Sequence, residues 1–245
     1  MKPLARSASR LCAALLLAAS AGTPAGAGSL PERFAASFVL SANGLDIGHT
    51  RWRLSPLGAG RYVYESHSEA VGMAKLLRNE RIDERSEWNF SNGGVRPLHY
   101  RYLRSGGKRV RQVEVRFDWV GQRVRNTLNG ESWSMPVAEG TLDKLVYLLA
   151  LMQDLADGMR ETRYAVADGG KVKTYIMRVL RRESVETVLG RLDTTVVERR
   201  REGNDRVTLV WCAPALSYLP VRMEHREAHG TVHLNLSTLE GITPR

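Results

Sequence analysis

The chain has 245 residues, 43% hydrophobic and 25% charged, with a formal net charge of +10 and two cysteines. That length supports one substantial core or two small ones, and two cysteines exclude a disulfide-stapled scaffold. The basic balance suits an anionic partner, although arginine on exposed strand faces accounts for it more simply.

The first element reads as an export signal. Lys2, Arg6 and Arg10 flank the start of an apolar run, Leu11–Ala21, which is shorter than the about 18–20 residues a spanning helix needs. Ala25-Gly26-Ala27 then supplies the small-x-small pattern of a signal peptidase site, so residues 1–27 are expected to be a signal peptide. Cys12 precedes the bulk of the apolar run, the wrong place for a lipoprotein anchor, so a soluble periplasmic protein is expected; a retained N-terminal anchor is the alternative. Residues 28–245 keep a charge of +7. Outside the cytoplasm a basic protein meets lipid headgroups and wall polymers rather than chromosomes, so no nucleic-acid partner is expected. Cys212, the one cysteine left after cleavage, sits in apolar "VTLVWCAP" and reads as a buried, inert thiol.

Strand patterns follow in chain order: "RFAASFVL", "RYVYES", "PLHYRYL" and then "QVEVRFDWV", where Val113, Val115, Phe117 and Trp119 alternate with Glu114, Arg116 and Asp118. "KTYIMRVL" and "VTLVWC" continue the pattern beyond the middle of the chain. Turn signals separate the runs, among them Asn43-Gly44, Asn92-Gly93, Asn129-Gly130 and Asp168-Gly169-Gly170. An antiparallel meander of roughly a dozen strands is expected. "EAVGMAKLLRN" is a short helix or an irregular connection. "GTLDKLVYLLALMQDLADG" is the one clear helix, near 141–157, with Thr141 as its cap, Asp143 in its first turn and Gly158 at its end. Its apolar residues cover nearly all sides, so it should be buried across a sheet; its uninterrupted apolar run, Leu145–Met152, cannot span a bilayer.

No repeat or linker divides residues 28–245, so a single β-rich domain is expected. The fold class is mainly β: one large curved antiparallel sheet or half-barrel meander with one buried central helix. Two packed sheets are the alternative.

"HREAHGTVH" places His225, His229 and His233 four residues apart, a zinc-like spacing if helical. Pro214, Pro220 and His229-Gly230 argue instead for a hairpin. Pairing Met223 with Leu236 keeps the apolar faces together. It sets His225 opposite Leu234 and His233 opposite Arg226, so the histidines diverge and no metal site is assigned.

Nucleophile elbows, zinc-binding helices and phosphate loops are absent from the sequence. "ESHSE" juxtaposes Ser66, His67 and carboxylates, but neighbours on a strand face opposite ways, and "DERSE" reads as alternating charge on an exposed strand. No catalytic residue or cofactor is assigned. Lys108, Arg109, Arg111, Arg123 and Arg125 lie near successive turns and form a candidate anion-binding rim, and "ERRREGNDR" adds Arg199 to Arg201. Trp119, Trp211 and Tyr147 are the candidate ligand contacts, on strands or helix whose apolar faces would cradle an acyl chain.

"VTLVWCAPALSYLPVRMEHREAHGTVHLNL" resembles the bacterial domain of unknown function 3108 family in Trp211, Pro214, Leu219, Pro220, Val221 and Arg222. Asp143 and Leu145 resemble its helix start, and Pro97 and Tyr100 in "VRPLHYRY" its middle section, so the resemblance covers about 35–240. Cys212 and Ala213 depart from it. The resemblance implies an exported β-rich envelope protein and carries no catalytic residues. By analogy of shape with curved-sheet carriers, the leading expectation is a non-catalytic protein that binds a lipid or another anionic amphipathic envelope molecule. An assembly factor pairing through a sheet edge and an envelope hydrolase are the alternatives.

Overall fold

Alternation of buried and exposed residues dictates strands along most of the chain, and a computed structural model of the protein arranges them. It describes residues 30–244 except Arg78, Lys108, Ala228 and His229. The expected signal peptide, the rim residue Lys108 and the turn histidine His229 lie outside the described residues.

The first half runs β1 (Phe34–Ala42), β2 (Leu45–Gly58), β3 (Arg61–Ala70), the short helix α1 (Gly72–Leu77), β4 (Arg81–Ser91) and β5 (Gly94–Ser105). β6 (Arg111–Asp118), β7 (Arg123–Leu128) and β8 (Glu131–Pro136) complete it. A two-residue strand, β9 (Leu142–Asp143), leads into the central helix α2 (Tyr147–Ala156). The second half is β10 (Glu161–Asp168), β11 (Lys171–Thr187), β12 (Gly190–Arg201) and β13 (Asn204–Ala213). A 3-10 turn at Pro214–Leu216 precedes β14 (Leu219–Glu227) and β15 (Gly230–Glu240).

All fifteen strands belong to one sheet, ordered β8-β7-β6-β5-β4-β3-β2-β1-β15-β14-β13-β12-β11-β10-β9. Every pair is antiparallel except β9 with β10. β1 pairs with β15, so the chain starts at the sheet centre and meanders out to β8. It then crosses with α2 and meanders back from β9. Two-residue Asn-Gly turns set several hairpins: Asn43-Gly44 (φ 51° and 75°), Asn92-Gly93 (51° and 78°) and Asn129-Gly130 (50° and 96°) supply the doubly positive φ that a type I′ turn demands.

The sheet curls until its two ends approach. β9 and α2 pack on β5, and the Ser86 hydroxyl of β4 donates to Asp143 of β9 at 2.5 Å. Trp133 of β8 lies on the β10–β11 turn, where a Cβ added at Gly170 would collide with the indole. The fold is therefore a half-barrel closed by side-chain packing rather than by a strand ladder.

α2 fills the concave side. Leu149 and Leu151 are completely buried and Met152 nearly so, against Phe38, Leu54, Tyr64, Trp88 and Tyr100 of the sheet. An all-round apolar helix is stable only in such a place, and each fully buried leucine contributes roughly 2–3 kcal/mol of transfer free energy.

The helix starts at Tyr147, later than Thr141, because the residues between are used otherwise. Leu142 and Asp143 bridge to Val166 and Ala167 of β10, and Thr141 donates its hydroxyl to Ala138 O at 2.7 Å. Asp143 instead braces the turn that leads into the helix, accepting the N–H groups of Leu145 (2.8 Å) and Val146 (2.9 Å). At the other end Gly158 (φ 85°) closes a Schellman motif: its N–H meets Leu155 O at 3.1 Å, and Met159 N–H meets Asp154 O at 2.8 Å.

The β14–β15 hairpin is present, but its register differs from the expected one. Met223 opposes Leu234, His225 opposes Val232 and His233 opposes Glu224. Moving the partner by two residues leaves every side chain on its expected face, so alternation alone does not distinguish the two registers.

Candidate functional site

One pocket, of about 320 Å³, opens where the N-terminal end of α2 meets the concave face. Sheet curvature brings β1–β4 and β12–β15 to it. An aliphatic wall runs across its middle, where Leu40, Leu234 and Met223 are cross-strand neighbours, and Trp52, Leu145, Leu148 and Val232 add to the apolar lining. Polar residues flank that wall on both sides: Thr50, Ser66, Ser68 and Glu84 from β2–β4, and Arg199, Thr208 and His225 from β12–β14, with Lys144 and Tyr147 from the start of the helix segment.

Strand parity explains the polar residues on the β12–β14 side. In β12, Val197 is fully buried on the concave face, so the next inward position, Arg199, also faces in; Glu198 and Arg200 face out and pair at 2.9 Å. Arg199 donates to the Tyr147 hydroxyl and to Thr208 Oγ1, each at 2.8 Å. Its guanidinium carbon lies 5.6 Å from the Tyr147 ring centroid and 5.1 Å from that of Tyr175. Thr208 Oγ1 is in turn 2.8 Å from His225 Nδ1. Burial works against the Arg199 charge, but the neighbouring Tyr147 and Tyr175, together with the Asp168 carboxylate, outweigh it and its pKa is raised. No carboxylate of a described residue forms an ion pair with Arg199.

Lys144 stands 4.9 Å over the Tyr102 ring, with Nζ 3.5 Å from Glu84. Burial again opposes the charge and the carboxylates of Glu84 and Asp168 more than restore it, raising its pKa. Glu84 also accepts the Tyr100 hydroxyl at 2.5 Å. The pocket thus holds two cations against one carboxylate.

Below it, Asp143 is completely buried. Burial pushes its pKa up to about 6, against the hydrogen bonds from Ser86, Val146 and Leu145 that favour the carboxylate. Asp143 ties α2 to β4 and does not line the pocket. Cys212 is buried and its thiol is pushed well up by desolvation.

The candidate residues from the sequence scatter. Tyr147 lines the pocket. Trp119 stacks on Phe117 (5.3 Å between centroids) and donates to Pro97 O at 2.8 Å, outside the pocket lining. Trp211 is cross-strand from Val196 and Arg222; its neighbour Val210, aligned with Val197 and Met223, takes the concave face. The indole N–H of Trp211 goes to Glu183 on the convex side. Arg111 shares the concave parity of Val113 and Val115 and lines a small recess with Tyr102, Lys144 and Asp168. Arg123 and Arg125 are exposed on the convex face, flanking buried Val124, and Arg109 is exposed in the preceding loop. The structure does not gather these arginines into one rim.

Two other motifs resolve by parity. In "ESHSE", Ser66 and Ser68 face the pocket, while His67 lies on the convex face with Nδ1 2.5 Å from Asp83. "DERSE" is not simply an exposed strand: Ser86 is fully buried and Glu84 lines the pocket, because the concave side of β4 is covered by α2 and β9. A larger recess of about 570 Å³ on the convex face includes His67, Asp83 and Arg85. Within it Arg85 pairs with Glu65 (2.6 Å) and His67 with Asp83 (2.5 Å), while Arg51, Arg53 and Arg101 form no ion pair with a described residue. His225 and His233 occupy opposite faces, and His233 lies 3.6 Å from Glu224. Among the described residues no group of three or more His, Cys, Asp or Glu comes together, and no helix is long and apolar enough to cross a membrane.

The sequence reading missed Lys144 and Thr208, set Ser66 and Glu84 aside within "ESHSE" and "DERSE", and named Arg199 only within a basic run. The available signal was parity: Arg199 follows Val197 on a buried face, and His225 follows Met223.

A solved structure of similar fold is the beta-barrel-like protein of domain of unknown function DUF1849 from Brucella abortus. It is 9% identical, with a TM-score of 0.57 over 86% of this chain and 98% of that one, a likeness of fold alone. No curated protein matches the sequence. The model of the protein family of unknown function DUF3108 matches residues 34–237, from the start of β1 into β15, and the chain belongs to that family.

Proposed function

We infer that the protein is a non-catalytic periplasmic carrier that binds a hydrophobic or amphipathic molecule of the cell envelope in the concave pocket. The observation that carries this reading is that one pocket combines an aliphatic row, Leu40, Leu234 and Met223, with flanking polar residues that include two cations and one carboxylate. Such a combination matches a molecule with a tail and a head. About 320 Å³ corresponds to roughly ten waters at ~30 Å³ each, room for a short chain or the end of a longer one. Export rests on the basic, apolar and small-x-small pattern of residues 1–27.

Native mass spectrometry of protein purified without detergent from the periplasm, followed by organic extraction, tests the reading. A reproducible bound amphiphile is expected. A bare mass, under conditions in which a control carrier keeps its lipid, would overturn it.

A further inference from the structure

Arg199 supports a narrower statement about the ligand, which rests on the binding reading above. A partly buried cation is costly unless paired, and the usual partner is a carboxylate. Here its protein partners are two neutral hydroxyls, Tyr147 and Thr208, and two aromatic rings. A guanidinium carries five N–H donors in a planar fork; the two bonds on its terminal nitrogens leave three without a protein acceptor among the described residues. The rings of Tyr147 and Tyr175 restrict where the fork can go, and Thr208, itself hydrogen-bonded to His225, fixes one of its nitrogens.

Charge decides which head fits. Lys144 is matched by Glu84 at 3.5 Å, whereas Arg199, in the same lining, has no ion-pair partner among the described residues; the Asp168 carboxylate acts on it only from a greater distance and is itself paired with Lys173 at 2.6 Å. A neutral alcohol or ester head would leave that charge in place. A phosphate monoester carries about −1.5 to −2, and would set surplus negative charge close to Glu84. A carboxylate brings one negative charge and the planar, two-oxygen edge that a guanidinium fork matches.

We propose that the pocket recognises an aliphatic carboxylate, its head on the Arg199 guanidinium and its tail on Leu40, Leu148, Met223 and Leu234. Arg199 is then the residue that sets head-group preference, and the aliphatic wall supplies affinity without regard to the head.

Isothermal titration of the delipidated full chain with decanoate, decanol and decyl phosphate tests this, since the three share one tail. Decanoate is expected to bind on the order of ten- to a hundredfold more tightly than decanol, the range of a hydrogen bond to a charged group. Decyl phosphate should bind more weakly than decanoate. Arg199→Met should bring decanoate and decanol to within about threefold of one another, as loss of the charged partner requires. Equal binding of decanoate and decanol to the unaltered protein would overturn the carboxylate assignment and leave the binding reading standing, as would tighter binding of decyl phosphate. Failure of all three probes to bind would count against the binding reading itself. The comparison among probes on the unaltered chain stands even if the variant does not fold.

Discussion

Changing Asp143 to asparagine separates two forces that act on one carboxyl. Burial opposes its ionisation, and the nearby Glu84 adds to that; three hydrogen bonds, from Ser86 and the Leu145 and Val146 amides, favour it. Burial prevails, and the folded pKa rises from 3.8 to about 6. A raised carboxyl pKa means that the folded state holds the proton more tightly than the unfolded chain. The resulting stabilisation is complete below the unfolded pKa, near 4, and is lost as pH rises through about 6. At about 1.4 kcal/mol for each pKa unit, that rise corresponds to roughly 2–3 kcal/mol. The asparagine side chain would keep a carbonyl for the two amides and an amide for Ser86, but cannot titrate. Urea unfolding of both proteins at pH 4 and pH 7, followed by tryptophan fluorescence, checks this. The stability of the native chain minus that of Asp143→Asn should fall by about 2–3 kcal/mol between the two pH values. Subtracting the variant removes the opposing contributions of Glu114 and Glu183, whose pKa values are lowered. A difference that is flat, or that grows with pH, would refute the reasoning: the hydrogen bonds would then outweigh burial, and Asp143 would be an ionised acceptor.

Three further expectations concern other parts of the molecule. Asn126 is buried on β7 with neither its Oδ1 nor its Nδ2 hydrogen-bonded, so Asn126→Leu should stabilise the fold by about 1–3 kcal/mol in chemical denaturation; destabilisation would show that the amide is satisfied. Gly170 has φ 83° and lies under Trp133, so Gly170→Ala should cost more than about 1 kcal/mol. The cost should shrink in a Trp133→Ala background; an unchanged cost would place the whole effect in the backbone. Intact mass of protein recovered by osmotic shock should match a chain beginning at Gly28. Recovery of the full-length chain from the cytoplasm alone would refute export.

The curved meander was legible in the sequence because alternation, as in β6, and Asn-Gly turns, as after β7, are local signals. What alternation does not carry is anything that depends on partners distant along the chain. The β14–β15 register slipped by two residues without changing any face, since Met223 meets an apolar residue at either Leu234 or Leu236. Thr141 looked like a helix cap by spacing, but β10 claims Leu142 and Asp143, which delays the helix to Tyr147.

The pocket was half legible. Met223 and His225 were read on one face, and both line it. Arg199 stood inside a run of three arginines whose alternation separates it from Arg200, yet only the bend of the sheet brings it to Tyr147, 52 residues away. Trp211 has the composition of a ligand contact, but its parity carries it to the convex side and Glu183.

Filling the pocket tests the central claim most directly. Leu234 lies on its aliphatic wall, and Leu234→Trp would occupy much of the 320 Å³. The account predicts that this variant, with unfolding behaviour close to that of the native chain, loses the amphiphile that the native chain retains in native mass spectra. Retention of the same molecule in the same proportion by a folded Leu234→Trp protein would contradict it, because the ligand would then have to sit elsewhere.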